Sequence, residues 1–153
     1  MATTLRLGEG MRMEYGNVVR GSQQPQPNVR LFLPPRLAAP PTQWWRIRSP
    51  HDLSSRDVRT IREALLRSDL VDDCEWLRAV GGDAATAIGI AIKALKSCGM
   101  RNPLTDAVIS AVLCCAVEGD PAAKVVMLSA LRRRAKIDPI CHGLRLRWLH
   151  ARF

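Results

Sequence analysis

Apolar positions in the C-terminal two-thirds of the chain recur at helical spacing, and polar caps punctuate them. Val58, Ile61 and Leu65 fall at i, i+3 and i+7, one stripe of a helix, while Arg56, Arg59, Arg62 and Glu63 take the wet side. Ser54 precedes that stripe and Asp57 follows three residues on, a capping box in which Asp stands for the commoner Glu. A second short helix is expected over residues 71–80. Asp72, Asp73 and Glu75 stand in its first turn, where carboxylates suit the dipole, and Gly81-Gly82 ends it.

Three times an Asn or Asp is followed at once by Pro: Asn102-Pro103, Asp120-Pro121 and Asp138-Pro139, 18 residues apart. Each pair reads as a helix start. The side chain accepts from an early N–H, and Pro takes the first helical position, where its missing N–H costs nothing. With Asp83 as a cap and Gly99 as a stop, the spacing predicts consecutive antiparallel helices over 84–97, 104–118 and from Pro121 to about residue 136, joined by very short turns. The first two are apolar nearly all round and are expected to form the core hairpin, with Ile92 and Val112 as core positions. In the third, Val125, Val126, Leu128 and Leu131 are expected to face inward. Residues 139–153 are read as a helix with Ile140, Leu144, Trp148 and Ala151 on one face, in preference to a strand built on LRLRW.

The first fifty residues follow no helical period and hold seven of the ten prolines. GSQQPQPN (21–28) is a polar linker that has no means of forming a core. TLRL (4–7), NVRLFL (28–33) and QWWRIR (43–48) alternate as extended segments do, and Pro34-Pro35 and Pro40-Pro41 break any longer strand. The expected fold class is therefore mainly α. A compact bundle of five to six short helices, about residues 52–153, follows a Pro/Gln-rich, poorly ordered or extended arm. The domain boundary is placed between a flexible basic arm, 1–50, and a helical domain, 51–153. NVRLFL or WWRIR is expected to dock on the helical domain or on a partner.

Composition narrows the chemistry. A chain of 153 residues has room for one domain and a tail. No stretch reaches the ~18–20 apolar residues of a membrane span, and the N-terminus lacks an apolar signal core, so an intracellular protein, cytoplasmic or nuclear, is expected. The five cysteines are odd in number and form no CxxC pair, which fits buried thiols in a reducing compartment; no metal or cofactor is expected. Walker A, GxGxxG and HExxH sequences are absent, and the three histidines stand in no nucleophile context. No enzymatic activity or small-molecule substrate is expected. A helix-turn-helix reading of ALKSCGMRNPLTDAVIS is disfavoured, because its second helix offers only Thr105, Asp106 and Ser110 to bases and Asp repels phosphate.

Charge supplies the candidate site. The net +9 is spread as +5 over residues 1–50, −2 over 51–130 and +6 over 131–153, and 19 of the 23 basic residues are Arg. Guanidinium forks suit phosphate and carboxylate. Arg132, Arg133, Arg134 and Lys136 crowd one helix end, Arg145 and Arg147 follow, and Arg46 and Arg48 flank the adjacent indoles of Trp44 and Trp45. Three consecutive Arg span about 200° of a helix, so at least two point into solvent. Trp44, Trp45 and Trp148 are candidates for base stacking or partner contact. By layout alone the chain resembles small viral structural or accessory proteins and some secreted bacterial effectors, with no family singled out. The expectation is a non-enzymatic helical adaptor whose Arg-rich ends bind RNA or another polyanion. The alternatives are a protein-interaction or self-assembling module and association with an anionic membrane surface.

Overall fold

The structure, a computed structural model, describes residues 39–68 and 73–151, all within one compact unit, Pro34–Phe153. Among the described residues six α-helices follow two short 3-10 turns, Pro41–Arg46 and Pro50–Asp52: α1 Ser55–Leu66, α2 Cys74–Gly81, α3 Ala84–Ser97, α4 Pro103–Val117, α5 Pro121–Arg134 and α6 Ile140–His150. No strand occurs among the described residues. The mainly helical bundle is as the periodicity predicts. Among the described residues no helix is long and apolar enough to cross a membrane.

Local chemistry starts each helix. The Ser54 hydroxyl accepts from the Asp57 N–H while the Asp57 carboxylate accepts from the Ser54 N–H, a reciprocal capping box. Asp83 caps α3 through the Thr86 N–H, Asn102 caps α4 through the Leu104 N–H, and Asp120 caps α5 through the Ala123 N–H. Asp138 accepts from the Ile140 N–H, but α6 opens with i→i+3 bonds and its cap position falls on Pro139. Asp73 is the cap of α2 rather than part of its first turn, and the predicted start at residues 71–72 lies outside the described residues. Gly82, at φ +109°, closes α2 in the left-handed region. Gly99 does not act this way: α3 ends at Cys98 in extended backbone, and Gly99 only begins the turn to α4.

The predicted hairpin of α3 and α4 is present, with Val112 buried as expected, but its two helices are not equally central. α4 alone is the central element, with α1, α3, α5 and the first 3-10 turn packed around it and α6 laid on α5. Every residue from 105 to 116 is buried. α3 turns its alanines inward, Ala87, Ala91 and Ala94 with Leu95, and leaves Ile88 and Ile90 half-buried. Ile92, expected in the core, is 41% exposed. α5 behaves likewise: Ala123, Met127, Ala130 and Leu131 are buried, Val126 and Leu128 are half-buried, and Val125 is 65% exposed. The reason is fit. Close packing against the central helix selects the Ala87, Ala91, Ala94 and Leu95 side of α3 and the Ala123, Met127, Ala130 and Leu131 side of α5. In α6, Cys141, Leu144 and Trp148 point inward, Ala151 just past its end is buried as well, and Ile140, at 77% exposure, is not.

Residues upstream of His51 also belong to the fold, which corrects the boundary drawn there. QWWRIR is no extended segment; it forms most of the first 3-10 turn and its exit. Trp45 is fully buried against α4. NVRLFL and TLRL lie outside the described residues.

Candidate functional site

The polar residues of the central helix explain what holds the N-terminal turn in place. Thr105, Asp106 and Ser110 are buried in an otherwise apolar helix, so each needs a partner. The Ser110 hydroxyl donates to the Thr42 carbonyl at 2.7 Å, and the Thr105 hydroxyl donates to the Gly99 carbonyl at 3.1 Å. Asp106 accepts from the Trp45 indole N–H at 3.1 Å and pairs with Arg46 at 3.3 Å. The residues once weighed as base readers are therefore clamps. With residues 105–116 covered, α4 offers no face to a DNA groove.

Burial pushes the Asp106 carboxyl above the ordinary carboxylate range, against the opposing field of Arg46, the Trp45 hydrogen bond and the field of Arg134. Burial also raises the thiols of Cys114, to about 12, and of Cys115 and Cys141, which makes them poor nucleophiles. All five cysteines are free, and no group of three metal-ligating side chains occurs among the described residues.

The antiparallel order of α3 to α6 brings four helix ends together: the C-termini of α3 and α5 and the N-termini of α4 and α6. The Arg133 guanidinium donates to the Leu95 carbonyl at 2.6 Å, and Arg134 donates to the Met100 carbonyl at 2.7 Å. Both cations thereby satisfy carbonyls at the end of α3 and in the turn after it. Arg101, Arg132 and Lys136 are exposed at the same end and enter none of the ion pairs among the described residues. Lys96 borders a groove shared with Arg133. Two carboxylates oppose this group: Asp106, committed to Arg46, and Asp138, turned to the first N–H of α6. At its centre a cavity of about 260 Å³ is lined by Arg46, Arg101 and Arg134, with Thr42, Gln43 and Asp106.

The structure thus gathers Arg46, Arg132, Arg133, Arg134 and Lys136 from the expected site and adds Arg101 and Lys96. Only Arg132 and Lys136 among the expected cations here are exposed without such a bond. Arg145 and Arg147 lie along α6 toward its other end, where Lys124 of α5 donates to the Ala151 carbonyl. Arg48 pairs with Asp57 at 2.8 Å and lies 3.7 Å from the centre of the Trp44 ring. The aromatic part of the expected site is corrected. Trp45 and Trp148 are fully buried and cannot stack on bases, and Trp44 is half-buried with its N–H on the Ala39 carbonyl. The buried role of Asp106 and the place of Arg101 in the site escaped the sequence reading. A lone carboxylate inside an apolar helix was the available signal for the first; nothing local marked the second.

At the far end of the bundle, toward which Lys124, Arg145 and Arg147 also lie, carboxylates gather at the α2–α3 and α4–α5 turns. Asp83, Glu118 and Asp120 cluster there with Arg62 and Arg78, and the ion pairs Arg62–Glu118 and Arg78–Asp83 occupy both cations. The chain matches no protein-family model, no curated protein and no solved structure.

Proposed function

We propose that this chain is a non-enzymatic helical accessory module that binds RNA through phosphate contacts at the basic end of the bundle. The observation that carries this reading is the convergence of Lys96, Arg132, Arg133 and Lys136 at one end, where the nearby carboxylates among the described residues, Asp106 and Asp138, are already engaged. Guanidiniums and ammoniums of this kind neutralise backbone phosphates and release counterions. With Trp45 and Trp148 buried, the site has cations and no free stacking platform, so it reads backbone and shape and makes little distinction among sequences.

The test separates binding from folding. Arg132→Gln with Lys136→Gln removes two exposed cations that hold no backbone carbonyl. RNA affinity, measured by fluorescence anisotropy, should fall about tenfold or more, since charge-assisted phosphate contacts are worth ~1.5–3 kcal/mol each. The slope of log K against log salt should flatten by ~1.4–1.8 for two lost phosphates. The melting temperature should stay within a degree or two. Unchanged affinity and slope would remove the proposal.

A second reading, a self-assembling module, is favoured by one feature. Ile92 and Val125 are exposed on the neighbouring helices α3 and α5 and border a shared groove of about 230 Å³. Light scattering after size exclusion tests a second copy as occupant; a monomer at high micromolar concentration excludes it.

A further inference from the structure

We propose that the cavity lined by Arg46, Arg101 and Arg134 is a discrete site for a phosphate monoester, the terminal phosphate of an RNA 5′ end. The inference rests on the RNA reading and adds a specificity to it. Three arginines from three separate segments line it: the first 3-10 turn, the α3–α4 turn and the last turn of α5. Against them stands one carboxylate, Asp106, which leaves a formal +2. A monoester carries about −1.5 to −2 at neutral pH. A backbone diester carries a single negative charge, so the cavity matches the terminal group and the exposed cations outside it match the backbone.

Size and donor supply agree. At about 260 Å³ the cavity is smaller than the ~300–1,000 Å³ of most small-molecule sites, which suits one anionic group entering end-first. Arg134 is held in place by the bond from one Nη to the Met100 carbonyl, and it lines the cavity. Arg46 is held by its ion pair with Asp106 at 3.3 Å, and a guanidinium carries five N–H donors. Fixed forks are what bidentate phosphate recognition needs. Gln43 and Thr42 add neutral polar groups to the wall, and Pro103 places the start of the 15-residue α4, the positive end of its dipole, beside the cavity.

The experiment uses the full chain and two probes, one short single-stranded RNA carrying either a 5′-phosphate or a 5′-hydroxyl. Anisotropy should show the phosphorylated probe bound about tenfold more tightly. Inorganic phosphate, added at constant ionic strength, should abolish that difference. Arg101→Gln, at an exposed position outside the core, should do the same while a melting curve shows the fold intact. Equal affinity for the two probes overturns the cavity assignment and leaves backbone binding standing. Binding of neither probe at low salt overturns both. A preference that survives both inorganic phosphate and Arg101→Gln places the 5′ end elsewhere and refutes this site.

Discussion

Removing Arg46 tests whether Asp106 is a buried charge that the N-terminal turn neutralises. The pair is well covered, with side-chain exposures of 15% and 8%. Arg46→Met keeps most of the apolar stem and deletes the charge. Breaking a buried pair from one side costs ~3–5 kcal/mol, because the remaining charge stays desolvated. Asp106 retains the Trp45 N–H and the field of Arg134, so the lower bound, ~3 kcal/mol, is expected. For roughly 110 folded residues at ~2.1 cal/mol/K each, that lowers the melting temperature by ~13 °C.

The pH dependence identifies the cause. Burial already raises the Asp106 carboxyl, and losing its strongest opposing charge raises it further. In the variant the folded state then binds a proton at a pH where the unfolded chain does not, so its stability rises as pH falls through that window. Once protonated, the carboxyl no longer needs Arg46. Thermal melts of wild type and variant from about pH 7 to about pH 3.5 should therefore converge. Arg46→Met with Asp106→Asn should recover most of the loss even at neutral pH. A gap that is constant with pH, together with a double variant no better than the single, would refute the reasoning and leave lost packing as the cause.

Two further tests concern the core and the caps. Val112→Asp, at a fully buried position of α4, should abolish cooperative folding, whereas Ile92→Asp, at a 41% exposed position, should cost about 1 kcal/mol or less; equal damage in circular dichroism melts would contradict the inward alanine face of α3. Asp83 is lowered to about 2, first by the Thr86 N–H, then by the Thr86 hydroxyl and Arg78, so its contribution is present above the ordinary carboxylate value and is lost as pH falls from about 4 toward 2. Asp83→Asn caps the helix without titrating, and it should lose less stability than wild type over that acid range; identical acid profiles would show that the cap plays no part.

Residues within one helical turn of each other determined the helix starts. Ser54, Asp83, Asn102 and Asp120 each accept from an N–H two or three positions on, so the chain alone dictates those caps and the 18-residue beat of Asn102, Asp120 and Asp138. Stripes with one clear apolar side, such as Val58, Ile61 and Leu65, were equally legible. Helices apolar all round were not. Periodicity cannot say whether Ala91 or Ile92 faces the neighbour; that depends on how much volume α4 already places at the contact. The site shows the same division. Seven consecutive positions announce a basic helix end at 130–136, but only the fold decides that Arg133 and Arg134 bond carbonyls of another helix while Arg132 and Lys136 do not. Trp45 meets Asp106 across 61 residues, and Arg46, Arg101 and Arg134 share a cavity across 88. Such contacts are set by chain closure around one central helix, and a buried carboxylate chooses its partners from whatever that closure brings within hydrogen-bond reach.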